Sequence, residues 1–395
     1  MVRLSRAQQQ ERTRATVLAA ARAEFTERGY AAAKVDVIAE RAELTRGAVY
    51  SNFPSKRALY LAVLLDTADT AGSGVTGEGP PAVPPSPPSL AEALGAFARA
   101  RLQRLPLAGD APALGQVRLL SLAGVLDDEP IRTAFGQLTR LEALLLALAL
   151  ESRTPAGRPC SVRQVRRAEL VLRLLDGPGA SVDPGLVSGD PFDLAQACAH
   201  LGHLALADTW DPPHLPYIRP AQTCHEPWTP PGELRDLVTG RTVGFDEDGV
   251  VVVLGSHRLE AVEESVRAAR AGDRVTVAVA TADPAETGRL VKLRIGDFAR
   301  CLRGVFAQDG WPRLRVVLDD GGLLASAIGV ADADDTAEHA VRVQQGTLVA
   351  RAHGRGAGHA AATAPSPEST PSPEPAPAGH ARRHLADASP DGTAP

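Results

Sequence analysis

The spacing of apolar residues changes once along this chain, and that change constrains the fold more than any other feature. Residues 9–66 and 90–209 place apolar side chains at three- and four-residue steps. Residues 240–353 switch to short β-branched runs alternating with helical stretches. A pattern with the helix period cannot bury one face as a strand. The expected fold class is therefore multidomain, with an all-α N-terminal half followed by an α/β domain. Proline marks the joints. Six prolines between Pro80 and Pro88, after a Gly/Ser-rich stretch, define a linker over 67–89. A second Pro-rich joint spans 210–239, with its prolines concentrated between Trp210 and Gly232. Residues 354–395 hold eight prolines after position 364 and read as a disordered tail.

Several function classes drop out early. The apolar run Ala143–Leu150 is too short to span a bilayer, and the first ten residues, MVRLSRAQQQ, do not read as a secretory signal. The expectation is a cytoplasmic protein with no membrane partner. Cys160, Cys198, Cys224 and Cys301 are far apart and make neither a disulfide framework nor a CxxC pair. The net charge of −5 conceals an asymmetry: residues 1–65 carry 11 Lys and Arg against 6 Asp and Glu. A basic head on an acidic body points to a polyanion partner for the head alone.

The head has the pattern to use that charge. A first helix is expected from about Arg12 to Arg28, with Val17, Leu18, Ala21 and Phe25 on one face and Gly29 as its stop. A second covers about Val35–Ala42. Thr45 is a good N-cap for a third, Arg46–Phe53, which Pro54 ends; Ser55 caps a fourth. Two short helices joined by a tight turn are the helix-turn-helix unit, whose second helix enters the major groove. Arg46, Ser51 and Asn52 can hydrogen-bond bases or phosphates, Tyr50 offers a hydroxyl, and Gly47 and Ala48 allow close approach.

The ordered set Ala20, Phe25, Gly29, Val35, Ile38-Ala39, Ala42, Gly47, Tyr50, Phe53, Ser55-Lys56 and Leu59 resembles the DNA-binding domain of TetR-family transcriptional regulators over about residues 12–65. The resemblance implies a DNA-binding set of Lys34, Val35, Thr45, Arg46, Gly47, Ala48, Tyr50, Ser51, Asn52, Phe53 and Lys56, with Tyr50 and Lys56 on phosphates. It implies that 90–209 is a helical ligand-binding and dimerisation domain. The partners implied are double-stranded DNA with a palindromic operator, a second copy of the chain and a small-molecule effector of unknown identity. The implied function is that of a repressor released by its ligand. Two positions depart from the family pattern. Ala33-Lys34 stand where a hydroxyl usually caps the second helix. Glu43 stands where the turn usually has Gly, so it must take a positive φ or shift the turn.

In the middle, helices are expected near Leu90–Arg104, Gly115–Leu126, Ile131–Glu151, Val162–Leu175 and Pro191–Thr209, with the dimer interface on the last two, over about Val162–Leu175 and Pro191–Ala207. Cys198, His200 and His203, like Cys224-His225-Glu226, read as packed side chains and not as a metal site. No cofactor is expected. In the last block, Thr242–Phe245 and Val250–Leu254 read as a hairpin around Asp246–Gly249. Then come a helix at Leu259–Ala271, strands Val275–Thr281 and Leu314–Leu318, a helix near Asp297–Ala307, a short helix ending at Ile328, and a hairpin of Ala340–Val343 with Thr347–Ala352. This order resembles the thioredoxin-like fold of peroxiredoxins over about residues 240–354. Such enzymes attack with a thiolate just after the first central strand. Here that place is Gly255-Ser256-His257-Arg258-Leu259-Glu260, with no cysteine. The alternative, a thiol-dependent oxidoreductase of peroxiredoxin type, would have to use Cys301. No GxGxxG or GKS/T follows the Val250–Leu254 strand and no GxSxG exists, and the expectation is a non-enzyme.

Overall fold

The computed structural model describes residues 5–73, 87–103, 122–153, 163–176, 190–307 and 313–365. Most of the 67–89 linker, the first part of the expected Gly115–Leu126 helix, Cys160 and the tail beyond 365 lie outside the described residues.

The first half is helical, as its periodicity requires: α1 (Arg6–Ala32), α2 (Val35–Arg41), α3 (Arg46–Asn52), α4 (Lys56–Ser73), α5 (Leu90–Leu102), α6 (Leu122–Val125), α7 (Glu129–Glu151), α8 (Val165–Asp176) and α9 (Pro191–His200). Helix α1 is bent where Gly29 takes φ 69°, so the glycine kinks the helix instead of ending it. Helix α7 is long and apolar enough to cross a membrane, but most of it is buried within the protein. Its Leu138, Leu141, Leu145 and Leu148 belong to the core. Helix α9 is shorter than expected. After His200 a single 3-10 turn, Leu201–His203, closes the helix, and the expected continuation to Thr209 is absent.

The second half is built on a six-stranded mixed sheet: β1 (Gln222–Pro227), β4 (Gly249–Gly255), β5 (Arg274–Ala280), β6 (Leu314–Leu318), β7 (Glu338–Gln344) and β8 (Thr347–His353), in the order β1-β8-β7-β4-β5-β6. Strands β4, β5 and β6 run parallel, and β7 and β8 form the expected antiparallel hairpin beside β4. Helix α10 (Ala261–Ala268) crosses from β4 to β5, α11 (Arg289–Arg303) precedes β6, and α12 (Leu323–Ala327) follows it. Strand β4 is buried along its whole length, as a central strand covered on both faces must be. Val250, Val252 and Leu254 join the larger core with the helices, whereas Val251 and Val253 pack with Trp228 and Phe245 on the other face.

Four expectations need correction here. Thr242–Val243, β3, does not pair with β4; it pairs with β2 (Leu234–Arg235) as a separate two-stranded ribbon. The Asp246–Gly249 turn therefore leads from the ribbon into the sheet. The Pro-rich joint is not simply a linker, because Gln222–Pro227 adds β1 to the free side of β8. Proline is tolerated there, on an edge strand. Helix α11 starts at Arg289, earlier than the expected Asp297. The tail begins later than 354: α13 (Ala357–Thr363) is helical, with Ala357, Ala360, Ala361 and Ala362 buried. Small residues let it lie close to α10. A Cβ at Gly358 would meet Ser265 Oγ at 1.9 Å. A segment rich in alanine and glycine has little apolar bulk, so its burial was illegible from composition.

The two halves share a core. Phe298 of α11 meets Phe97 of α5 with ring centroids 5.5 Å apart. Glu142 of α7, fully buried, pairs with Arg294 of α11 at 2.7 Å.

A candidate nucleic-acid interface in the helical head

The head is assembled around Phe25, Tyr30 and Tyr60. Phe25 meets Tyr60 edge-on at 4.9 Å, and Tyr30 lies 5.1 Å from Tyr60. Glu24, fully buried on α1, receives Arg28 and Arg41 at 3.3 and 3.4 Å. It also accepts the Lys34 backbone N–H at 3.4 Å. This answers the missing hydroxyl at the start of α2. The Lys34 side chain makes no capping bond, and a carboxylate ten residues upstream meets the N-terminus of α2 instead. That partner leaves no local signature in the sequence.

The turn between α2 and α3 keeps its usual path and strains Glu43, which takes φ 55°. The Leu44 N–H donates to the Ala39 carbonyl at 2.9 Å, closing α2 with a left-handed residue inside the turn. Thr45 caps α3: its hydroxyl accepts the Ala48 N–H at 3.2 Å.

Of the seven residues of α3, only Val49 is buried. Arg46, Gly47 and Ser51 are exposed; Ala48, Tyr50 and Asn52 are half-buried. The Arg46 guanidinium lies 5.5 Å from the Tyr50 ring centroid and 3.3 Å from Asp36. Both members of that ion pair are mostly exposed, so it is weak and readily exchanged for another anion. The Ser51 hydroxyl and the Asn52 amide both donate to the Ala48 carbonyl at 2.9 Å, which holds them along the helix. A Cβ on Gly47 would meet only Thr45 Oγ1, at 3.9 Å. Nothing inside the fold demands that glycine.

Of the expected DNA-binding set, Thr45, Arg46, Gly47, Ala48, Tyr50, Ser51 and Asn52 lie along α3 and its cap, each exposed or half-buried, and Lys34 is exposed at the start of α2. Val35 and Phe53 are not at the surface. Their side chains are buried in the core, so they act by placing the helices. Lys56 is also turned aside. Its Nζ donates to the Ala31 carbonyl at 3.1 Å and lies 4.8 Å from the Tyr30 ring, and burial lowers its pKa from the ordinary lysine value. Ser55 caps α4 as expected, accepting the Ala58 N–H at 2.8 Å.

Residues 17–63 match the bacterial regulatory proteins of the tetR family. The head is a TetR-family helix-turn-helix. The HTH-type transcriptional activator FasR of Mycolicibacterium smegmatis is 47% identical over 62 residues, which are 16% of this chain and 28% of that protein. The chain thus spans under a third of the length of this curated relative. Two solved structures align with about half of the chain. A Mesorhizobium loti MAFF303099 protein described as a TetR-family transcriptional regulator is 18% identical, over 50% of this chain and 95% of its own, with a TM-score of 0.23. A gamma-butyrolactone receptor, described as ArpA-like, is 23% identical, over 49% and 98%, with the same TM-score.

Beyond the TetR head, the segment expected to hold catalytic chemistry in a thiol enzyme is occupied by the chain itself. Ser256 is buried and donates to Asp335 at 2.7 Å. His257 Nε2 lies 3.0 Å from the Pro130 carbonyl. The Glu260 backbone N–H donates to Gln137 at 2.8 Å, and the Glu260 carboxylate takes Arg140 at 2.8 Å. Arg258 pairs with buried Glu338 at 3.0 Å. A Cβ at Gly255 would sit 2.2 Å from the Asp335 backbone, which explains the glycine at this close crossing. Cys301 is buried on α11. Burial pushes the Cys198 thiol up to about 11 and raises Cys224 as well, so both are kept from the reactive thiolate form. Cys198 points into the core while His200 and His203 are exposed, and the three do not converge.

Proposed function

We propose that the chain is a sequence-specific, DNA-binding transcriptional regulator that grips a palindromic operator as a homodimer and acts as a repressor released by a small ligand. One observation carries the reading: within a TetR-type head, α3 buries Val49 alone and turns Arg46, Gly47 and Ser51 outward. Such a helix has the length and polarity to read base edges while its neighbours hold phosphates. Apolar residues on the last two helices of the middle support the dimer. Leu170 and Leu174, one turn apart on α8, are over a third exposed, and Phe192 on α9 is 79% exposed. The sheet's β4-α10-β5 crossover followed by an antiparallel β7–β8 pair supports a thioredoxin-like module. Its thiols do not support peroxiredoxin chemistry.

The test is a gel-shift titration of the full chain against genomic fragments and scrambled duplex, with Arg46→Ala and Tyr50→Ala. Arg46→Ala should lose about 1–3 kcal/mol of preference for the native fragment. Tyr50→Ala should weaken binding to every duplex alike. A wild type with no preference for any native fragment over scrambled duplex sinks the proposal.

A further inference from the structure

We propose that the α/β half itself holds DNA: Arg289, at the start of α11, and Arg14, on α1, form a two-arginine seat for a backbone phosphate beside the α3–α4 elbow. The inference rests on the DNA-binding reading above and adds a contact from a part of the chain outside the TetR head.

Both guanidiniums lie near the ring of Phe53, the residue that closes α3. Arg14 is 4.9 Å from the ring centroid and Arg289 is 5.6 Å from it. Phe53 is fully buried, so it spaces two positive groups that come from residues 275 positions apart in the sequence. Arg289 is held firmly. Its Nη1 donates to the Ala58 carbonyl at 2.9 Å and the Ala285 carbonyl at 2.8 Å. Among the described residues, neither Arg14 nor Arg289 has a carboxylate within ion-pair distance. The acid nearest in sequence, Glu286, is engaged by Ser55 and by Arg57, the latter at 2.8 Å. Burial and then the Arg14 charge hold the Arg289 guanidinium below its ordinary value, against the pull of the Asp283 and Glu286 carboxylates. Two like charges held beside one ring, neither of them ion-paired with a carboxylate among the described residues, favour an anion that reaches both. Planar, always-charged donors match phosphate oxygens better than an ammonium does.

The location identifies the phosphate as one on DNA. The pair sits at the end of α3 and the beginning of α4, and the lysine expected to meet a phosphate there, Lys56, is committed to Ala31 and Tyr30. Arginines from α1 and α11 supply the charge that this lysine withholds.

The test uses the full-length protein, Arg289→Met and Arg289→Lys, titrated with a random-sequence duplex of about 30 base pairs over a range of salt. Arg289→Met should weaken binding to all sequences about 5- to 10-fold at low salt. Its log–log salt slope should fall by about 0.9 for each subunit bound. Arg289→Lys should keep the slope, since it keeps the charge. A methionine variant with the wild-type slope overturns the seat, whatever its melting temperature. A wild type that binds no duplex overturns the DNA-binding reading and this inference together. Phenylglyoxal labelling of the wild type gives an answer even if the methionine variant does not fold. Duplex should protect Arg14 and Arg289, and inorganic phosphate at matched phosphate concentration should not. Equal labelling with and without duplex, or protection by inorganic phosphate alone, overturns the assignment.

Discussion

The surface of α3 and the carboxyl edge of β4 begin from similar material and end differently. Each is a short polar stretch rich in groups that can bind a ligand. Parallel sheets commonly receive ligands at the carboxyl ends of their strands. On α3 the polar groups are left facing outward. At the end of β4, Ser256, His257, Arg258 and Glu260 are taken up by Asp335, Pro130, Glu338, Gln137 and Arg140. Residue type tells what a side chain could bind. Only the fold tells whether the chain has already used it. Here the sheet's chemistry has become internal structure that joins it to α7, and the head's polar groups stay at the surface.

The severest way to break the comparison is to cut the join. Glu142 and Arg294 are both largely buried, and Arg294 also stacks 4.5 Å from the Phe135 ring. Glu142→Ala leaves the guanidinium buried without its carboxylate, which should cost about 3–5 kcal/mol. Because the pair spans the helical middle and the α/β half, both should lose stability together in one denaturant transition. Far-UV circular dichroism and tryptophan fluorescence would follow them; Trp228 packs on the sheet. A helical signal that shifts while the tryptophan transition stays put would show two independent units and undo the contrast.

Legibility followed the same divide. The head could be read because its signals are local: Thr45 as a cap, the three- and four-residue apolar steps, and the run around Gly47, Tyr50 and Phe53 all act within a few residues of one another. Even there, Glu24 at the start of α2 and the inward turn of Lys56 were hidden, since both depend on partners ten or more residues away. In the α/β half the β4-α10-β5 crossover and the β7–β8 hairpin were legible from β-branched runs. Strand β1 was masked by prolines that an edge position tolerates. The β3–β4 hairpin was misread because adjacency in sequence suggested pairing, whereas β4 is flanked by β5 and β7. No local pattern could place Glu286 or Arg289 against α4, more than 200 residues earlier.

A second prediction sharpens the closed side. Glu264 on α10 is buried, with His214 at 2.9 Å. Burial first, then the Glu338 carboxylate, pushes its pKa up to about 7, while Arg258 and Arg355 oppose the rise and Glu260 adds to it. A folded value above the ordinary carboxylate range means that the fold binds this proton more tightly than the unfolded chain does. That stability is fully present below about pH 4.5 and is lost as pH rises through about 7. His214, whose pKa is lowered mainly by burial, works in the opposite sense: its contribution is present above its ordinary value and is lost as pH falls through the folded value. Wild-type stability should therefore decline by about 2–3 kcal/mol across pH 5–8 on account of Glu264. Glu264→Gln should flatten that decline. Parallel pH profiles for the two proteins would remove Glu264 from the network.

The smallest expected effect concerns the open side. Glu43 holds φ 55°, a left-handed conformation that costs a residue with a Cβ about 1–2 kcal/mol. Glu43→Gly removes that strain but gives the unfolded chain more freedom, which takes back about 0.4–1 kcal/mol. The net should be a gain of about 0.5–1 kcal/mol, seen as a higher denaturation midpoint with an unchanged m-value. The same change removes an exposed carboxylate from the turn leading into α3, so binding to any duplex should tighten slightly, most visibly at low salt. The two readouts separate two roles for Glu43. A gain in stability without tighter binding would mean that the carboxylate lies away from the DNA, and that α3 approaches the groove from another side. A loss of stability would mean that Glu43 makes an interaction worth more than the strain it bears, and the head would then be less open than its exposed residues indicate.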